Sequence, residues 1–265
     1  MINQIDNTVW HKANAVSRRM IVCGIRPLRQ KVFLVNEYPK SGGSWMAQML
    51  SEALNLPFPR NRFPMISDCI LHGHYRPIGI RLPVVHVSRD GRDVITSFYF
   101  HRLVDNKFSS SRARRKVLKE LGITDPGDLE RNLPRFIEHV AETRTHPHIS
   151  WSRFIEGWLE HSSVKALVKY ECMLENSAFE LQKVCDRLGH PISDIDSISI
   201  AKKFSFESLA KRKAGEENTA EYLRKGVAGD WKSKFNKESR EVFAFYMGNT
   251  LVQLGYEIDN SWVDQ

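Results

Sequence analysis

The chain carries 265 residues, 42% of them hydrophobic and 26% charged, a globular balance that excludes wholesale disorder. No apolar run approaches the roughly 20 residues of a membrane-spanning helix, and the short stretch around Met20 lies between arginines, so neither a span nor a secretory leader is expected. Lys and Arg outnumber Asp and Glu by 39 to 31, an excess that suits anionic partners such as nucleotides, nucleic acid or acidic lipid without choosing among them. Cys23, Cys69, Cys172 and Cys185 are scattered, form no C-x-x-C and read as reduced thiols, which fits a cytoplasmic location.

Residues 1–30 form a basic N-terminal segment, expected as a solvated helix packed on the domain. The other reading is an amphipathic element making peripheral contact with an anionic membrane. Lys31-Val-Phe-Leu-Val-Asn36 is a continuous apolar, β-branched run and reads as a strand buried on both faces. The Gly- and Ser-rich turn Tyr38-Pro-Lys-Ser-Gly-Gly-Ser-Trp45 follows. A helix comes next, carried by Met46, Met49, Leu50, Ala53 and Leu54 and closed by Pro57 and Pro59.

A second unit runs from the strand Pro83-Val-Val-His-Val-Ser88 through the turn Arg89-Asp-Gly-Arg92 into a helix for which Asp93 is the expected N-cap. Residues 102–150 are more polar and read as a solvated insertion or a lid over an acceptor pocket. A third strand, Val164-Lys-Ala-Leu-Val168, leads through Tyr170 to a helix with a capping-box pattern at Ser177 and Glu180. The last helix carries Phe243, Met247, Leu251 and Leu254. Strands alternating with helices predict an α/β fold: one domain over 31–265 with a central, mainly parallel sheet flanked by helices and a P-loop-like turn.

Three segments are suited to phosphate. In Pro39-Lys-Ser-Gly-Gly-Ser-Trp45 the glycines let backbone N–H groups approach an anion, and the following helix adds its amides and positive dipole end. Ser41 and Ser44 add hydroxyls and Lys40 a full charge. The lysine precedes the glycines, unlike a Walker A loop, and no clear Mg²⁺-binding Asp ends a strand, although Asp90 is near one. Arg89 and Ser97, one leaving a strand and the other a turn into a helix, could address one anionic group. A structural reading is that Arg89 pairs with Asp93 to fix the turn. Arg224 and Lys225, before Gly226, make a basic arm that suits a phosphate clamp.

Together these segments resemble the soluble, cytosolic-type sulfotransferases that use 3′-phosphoadenosine 5′-phosphosulfate (PAPS). The first is similar to that family's PKSGTTW loop for the 5′-phosphosulfate. Val87-Ser-Arg-Asp-Gly-Arg-Asp-Val-Ile-Thr-Ser-Phe-Tyr99 resembles its 3′-phosphate segment, and Arg224-Lys-Gly-Val-Ala-Gly-Asp-Trp-Lys232 resembles its RKGxxGDWK loop. The resemblance implies cofactor contacts from Lys40, Ser41, Gly42, Gly43, Ser44, Trp45, Arg89, Ser97, Arg224, Lys225 and Gly226. It implies that Trp45 and Phe206 flank the adenine and that Tyr170 contacts it. Sulfuryl transfer then leaves adenosine 3′,5′-bisphosphate (PAP) as product, with no metal expected.

Such a transfer needs a base for the acceptor hydroxyl or amine and positive charge at the departing phosphate. Alternation puts His72 and His74 of Ile70-Leu-His-Gly-His-Tyr-Arg76 on one face. The family's K-T-H maps its catalytic histidine onto His74 and its assisting lysine onto His72. The latter is a departure that leaves open a role as cation, hydrogen-bond donor or proton carrier. Cys69, His72 and His74 lack a fourth ligand at a convincing spacing, so no structural zinc is expected. The acceptor pocket is expected among residues 57–65, 75–80 and 98–108 and the 102–150 stretch. Phe58, Phe63, Tyr75, Phe98, Phe100 and Phe108 favour a hydrophobic alcohol or phenol there. The family's KxxxTVxxxE dimer segment is altered to Asn236-Lys237 at its centre, which leaves the oligomeric state open. The alternatives are a P-loop-type nucleotide kinase or hydrolase, or a non-catalytic nucleotide- or polyanion-binding protein. A nucleic-acid partner is not expected, because no aromatic platform is interleaved with the basic residues.

Overall fold

The computed structural model describes residues 3–25, 31–60, 68–104, 110–142, 147–221 and 223–265. Four parallel strands, β1 (Val32–Glu37), β2 (Cys69–Gly73), β3 (Val84–Ser88) and β4 (Val164–Lys169), lie in the order β2-β1-β3-β4. All residues of β1 and β3 are buried, as expected of central strands covered on both faces. Edge strand β4 alternates and keeps Lys165 on its exposed side.

The period of two along β1 sorts its side chains between two cores. Phe33 and Val35 join Ile70, Val85, Val87 and Val168 against Met46, Met49 and Leu50 of α2 (Gly43–Ala53), Leu181 and Val184 of α7 (Tyr170–Arg187) and Ile200 of α8 (Asp194–Lys203). Val32 and Leu34 face the larger core. It is built from α3 (Gly91–Leu103), α5 (Leu129–Ala141), α6 (Trp151–Leu159) and α10 (Lys237–Gln253), with Val94, Phe98, Phe136, Trp158 and Phe243 among its fully buried members. The remaining helices are α1 (Asn3–Val22), α4 (Ser111–Leu121) and the short α9 (Phe206–Ala210). Phe243, Met247, Leu251 and Leu254 face inward from the last helix, as their spacing predicts.

Several local expectations change. The helix after β3 is capped by Asp90, whose carboxylate accepts from the backbone N–H of Arg92 at 2.9 Å, so Asp93 is released for another contact. In α7 the backbone leaves helical geometry at Asn176, whose side chain accepts from the N–H of Phe179; the second half is thus capped one residue before Ser177. The 102–150 stretch divides. α4 buries only Val117, whereas α5 sends Leu133, Phe136, Ile137 and Val140 into the core and is no solvated insertion.

In α1, Ile21 and Val22 are buried, and the buried guanidinium of Arg18 donates to the carbonyls of Arg60 at 2.7 Å and His72 at 2.6 Å. The end of the first helix is therefore part of the packed domain. Asn236 caps α10 by accepting from the N–H of Ser239, and Lys237 reaches Asp264, so the altered centre of the dimer-like segment has local work. Because β1 and its α2 crossover lead to β2 on one side while β3 lies on the other, the carboxyl ends of β1, β2 and β3 open a crevice at a topological switch point.

Candidate active site

All three phosphate-suited segments meet at that crevice. Arg89 leaves β3 and lies between them: its guanidinium donates to the carbonyl of Lys40 at 3.2 Å and to that of Val227 at 3.1 Å. It also sits 4.2 Å above the ring of Tyr170 and 3.6 Å from Asp93. The pairing with Asp93 expected as a purely structural alternative thus coexists with contact to both other loops. Asp93 completes the join, since its two carboxylate oxygens accept the backbone N–H groups of Gly229 at 2.7 Å and Trp231 at 3.0 Å. Burial pushes the Asp93 carboxyl upward, Arg89 pulls it back and Asp90 adds to the rise.

Lys40, Ser97 and Arg224 line one small hollow with Phe100, His101, Thr219 and Glu221. Lys40 takes φ 77° and Gly42 φ 95°, a left-handed pair that bends the turn tightly. At Gly42 a β-carbon would lie 2.5 Å from the Tyr170 ring, so only glycine lets that ring cover the loop. Trp45 packs edge-on to Tyr170 with ring centres 6.0 Å apart, and Phe206 packs against Gly226 of the third segment. Arg224 lies 4.6 Å from the Phe100 ring and is paired with Glu217 and Asp230, while Lys225 pairs with Asp230 as well. A phosphate here would compete with those carboxylates. Burial pushes Asp230 upward, but its hydrogen bonds from Lys225 and Arg224 outweigh this and hold it below the usual carboxylate range.

Burial pulls the Lys40 ammonium down to about 8, with Glu37 opposing and Arg89 and Arg224 adding to the fall. His101 beside it is pulled to about 4, first by burial and then by Lys40 and Arg102, so it is a neutral neighbour at pH 7. A bound anion favours charged Lys40. Affinity for adenosine 3′,5′-bisphosphate is therefore expected to be level below about pH 8 and to weaken above it, by up to about tenfold per pH unit. Dissociation constants measured from pH 7 to 9.5 check this, and Lys40→Arg should flatten the profile; a level wild-type profile would contradict it.

The crevice holds a cluster that the sequence reading did not assemble. Glu37, the last residue of β1, is fully buried; its carboxylate meets His72 Nε2 at 2.9 Å and accepts the N–H of Gly43 at the start of α2. His74 Nδ1 meets the Glu37 backbone carbonyl at 3.0 Å, and the rings of His72 and His74 lie edge-to-face with centres 5.3 Å apart. A carbonyl only accepts, so Nδ1 of His74 carries the hydrogen and Nε2 the lone pair. Burial pushes the Glu37 carboxyl upward, yet His72, His74 and the Gly43 N–H together hold it below its usual value. Gly43 stands where the similar loop PKSGTTW has threonine. A β-carbon there would lie 2.8 Å from the Glu37 carboxyl, so the glycine and the buried glutamate belong together.

Donors at these loops fit a large anionic nucleotide. Ser41 Oγ, Trp45 Nε1, Arg89 Nε and Arg224 Nε are buried with no hydrogen-bond partner among the described residues. Such groups cost about 1–3 kcal/mol each when left unpaired, and here they cluster on the segments that meet at the hollow. The acceptor side is less as expected. Phe98 is packed in the core against Tyr38 and Phe136, because α3 is buried on nearly every side. Phe58 stands 6.3 Å from the His72 ring. Phe100 lies on the small hollow it shares with Lys40, Ser97 and Arg224 and also on a larger apolar hollow of about 520 Å³ beside Leu103, Leu118 and Leu129. Phe63, Met65 and Phe108 lie outside the described residues.

A family profile described as a sulfotransferase domain matches residues 78–255, about two thirds of the chain. The chain belongs to this sulfotransferase family. Among curated relatives, mouse sulfotransferase 2B1 is 23% identical over 252 residues, covering 80% of this chain and 68% of that protein. Human sulfotransferase 2A1 is 24% identical over 255 residues, covering 82% of each. Among solved structures, mouse sulfotransferase SULT7A1 complexed with PAP superposes with a TM-score of 0.66 at 20% identity, over 94% of this chain and 95% of that one. Retinol dehydratase in complex with androsterone and PAP gives a TM-score of 0.53 at 15% identity, over 90% and 85%. These structural likenesses show the fold, a parallel sheet flanked by helices. No helix among the described residues is long and apolar enough to cross a membrane.

Proposed function

We propose that the chain transfers a sulfuryl group from PAPS to a hydroxyl or amine of a small acceptor, with His74 as general base. The observation that carries this reading is the meeting of Lys40, Ser97 and Arg224 on one hollow while Arg89 joins all three loops. The unpartnered donors of Ser41, Trp45, Arg89 and Arg224 support the same assignment, with Gly42, Ser44, Lys225 and Gly226 completing the phosphate contacts and Tyr170 and Phe206 those to the base; the Gly43 N–H, expected to face the phosphate, is given to the Glu37 carboxylate instead. When bound, PAPS supplies a sulfuryl group on an anhydride whose rupture leaves negative charge on phosphate. Lys40 places its ammonium at the loop where that charge develops, and His74 receives the acceptor proton on Nε2, its ring fixed by the Glu37 carbonyl. His72, tied to Glu37, adds a hydrogen-bonding ring beside it.

The kinase or hydrolase reading is weaker. Asp90, which follows β3, caps α3 and is clasped by Arg92 at 2.7 Å. The acceptor assigned here is a hydrophobic alcohol or phenol, supported by Phe58 beside His72 and by the apolar hollow at Phe100. The relatives include a 3-alpha-hydroxysteroid sulfotransferase from Cavia porcellus, and the retinol dehydratase structures hold retinol or androsterone, which points the same way. A cytoplasmic location accords with this small-molecule role. Labelled PAPS offered with phenols, alcohols, amines and glycans is expected to label the first two classes. No transfer to any class, together with metal-dependent nucleotide hydrolysis, would replace this reading with the kinase-type one. Lys40→Ala is expected to lower kcat by about 100-fold with a smaller change in KM, because its charge matters most as the anhydride opens. A change confined to KM would contradict the assignment.

A further inference from the structure

The Glu37, His72 and His74 side chains each offer one ligand atom, all within 4.8 Å of one another. This is a two-imidazole, one-carboxylate set of the kind that holds zinc with a fourth position left for water. Tetrahedral zinc, with bonds of roughly 2.0–2.2 Å, separates its ligand atoms by about 3.3–3.5 Å. The 2.9 Å between His72 Nε2 and Glu37 Oε1 and the 4.8 Å limit bracket that spacing.

The surroundings are those of a supported ligand set. The Glu37 carboxylate is held by the Gly43 N–H. His74 is oriented through Nδ1 by a backbone carbonyl, which keeps Nε2 as its electron-pair donor. Arg18 fixes the His72 backbone carbonyl at 2.6 Å. Gly43, having no β-carbon, leaves the space into which the Glu37 carboxyl fits. Cys69, grouped with these histidines from the sequence, instead packs in the core, and Glu37 is the third member of the cluster.

We propose that Glu37, His72 and His74 form a binding site for a zinc-type divalent metal ion. The ion would take the place of the hydrogen between His72 Nε2 and Glu37 Oε1 and occupy the lone pair of His74. Occupancy would block proton abstraction and so inhibit turnover. That consequence, unlike the site itself, rests on the proposed role of His74.

Metal-stripped full chain titrated with Co²⁺ should develop the intense visible bands of a four-coordinate centre at one ion per chain, and Zn²⁺ should abolish them. Glu37→Gln and His72→Ala should each weaken Zn²⁺ binding by about 100-fold, and His72→Lys should do the same while keeping a side chain in the space. Cooperative melting and binding of adenosine 3′,5′-bisphosphate show which variants are folded. No cobalt bands in the wild type, or bands equally strong in the folded variants, would overturn the site. These readouts do not depend on turnover, so their failure would leave the sulfuryl-transfer reading standing, and failure of that reading would leave the metal site to be judged by binding alone.

Discussion

Replacing His74 with alanine is expected to lower turnover by about 10²–10⁴-fold, the usual contribution of a positioned acid–base group, while binding of adenosine 3′,5′-bisphosphate stays within about twofold. The reason lies in what the ring touches. Its Nδ1 is bound to the backbone carbonyl of Glu37, at the end of β1, and its ring stands edge-to-face to that of His72. The hollow proposed for phosphate is lined instead by Lys40, Ser97 and Arg224. Losing the imidazole therefore removes a proton acceptor without removing a phosphate ligand. Single-turnover rates with labelled PAPS, measured beside equilibrium binding of the bisphosphate, check the split. Turnover near wild type would reject His74 as the base, and an equal loss in binding would show that the ring organises the nucleotide site.

Asp93→Ala is expected to weaken bisphosphate binding by about 100-fold, and to destabilise the fold by about 3 kcal/mol, the scale of breaking a buried charged pair. Asp93 is fully buried and holds the third loop by two backbone N–H groups, at Gly229 and Trp231, while standing beside Arg89. Its removal would strand those donors and free the loop that carries Arg224. Asp93→Asn keeps one acceptor oxygen and should fall between the two. Denaturant unfolding and calorimetric binding check both parts. A stable Asp93→Ala protein with unchanged affinity would show that the loop is held by Arg89 and its own contacts alone.

What could be read from the sequence follows from how local each signal was. β1 and its glycine turn were legible because an apolar run, a Gly-Gly pair and a helical stripe are contiguous in the chain. Arg89, Ser97 and Arg224 were legible through motif resemblance, and the crevice brings them together. Glu37 was not, because a glutamate ending a strand reads as solvated. Its partner His72 lies 35 residues away and meets it only because β2 lies beside β1. Asp90 and Asp93 are equally good caps by residue type, and only the third loop, folded back from residues 229–231, distinguishes them. The Arg, Glu and His residues interleaved along α5 concealed its buried stripe, so a core helix read as an insertion.

The bonds from Arg18 reach farther than their place in the chain suggests. Because this first-helix guanidinium clasps the carbonyl of His72, trimming the polypeptide to begin at β1 would loosen the sheet edge that carries the proposed base while sparing the residues proposed to hold phosphate. A shortened enzyme would then still be retained on a nucleotide affinity resin yet turn over sluggishly, and retention on such a column would be a poor guide to its activity.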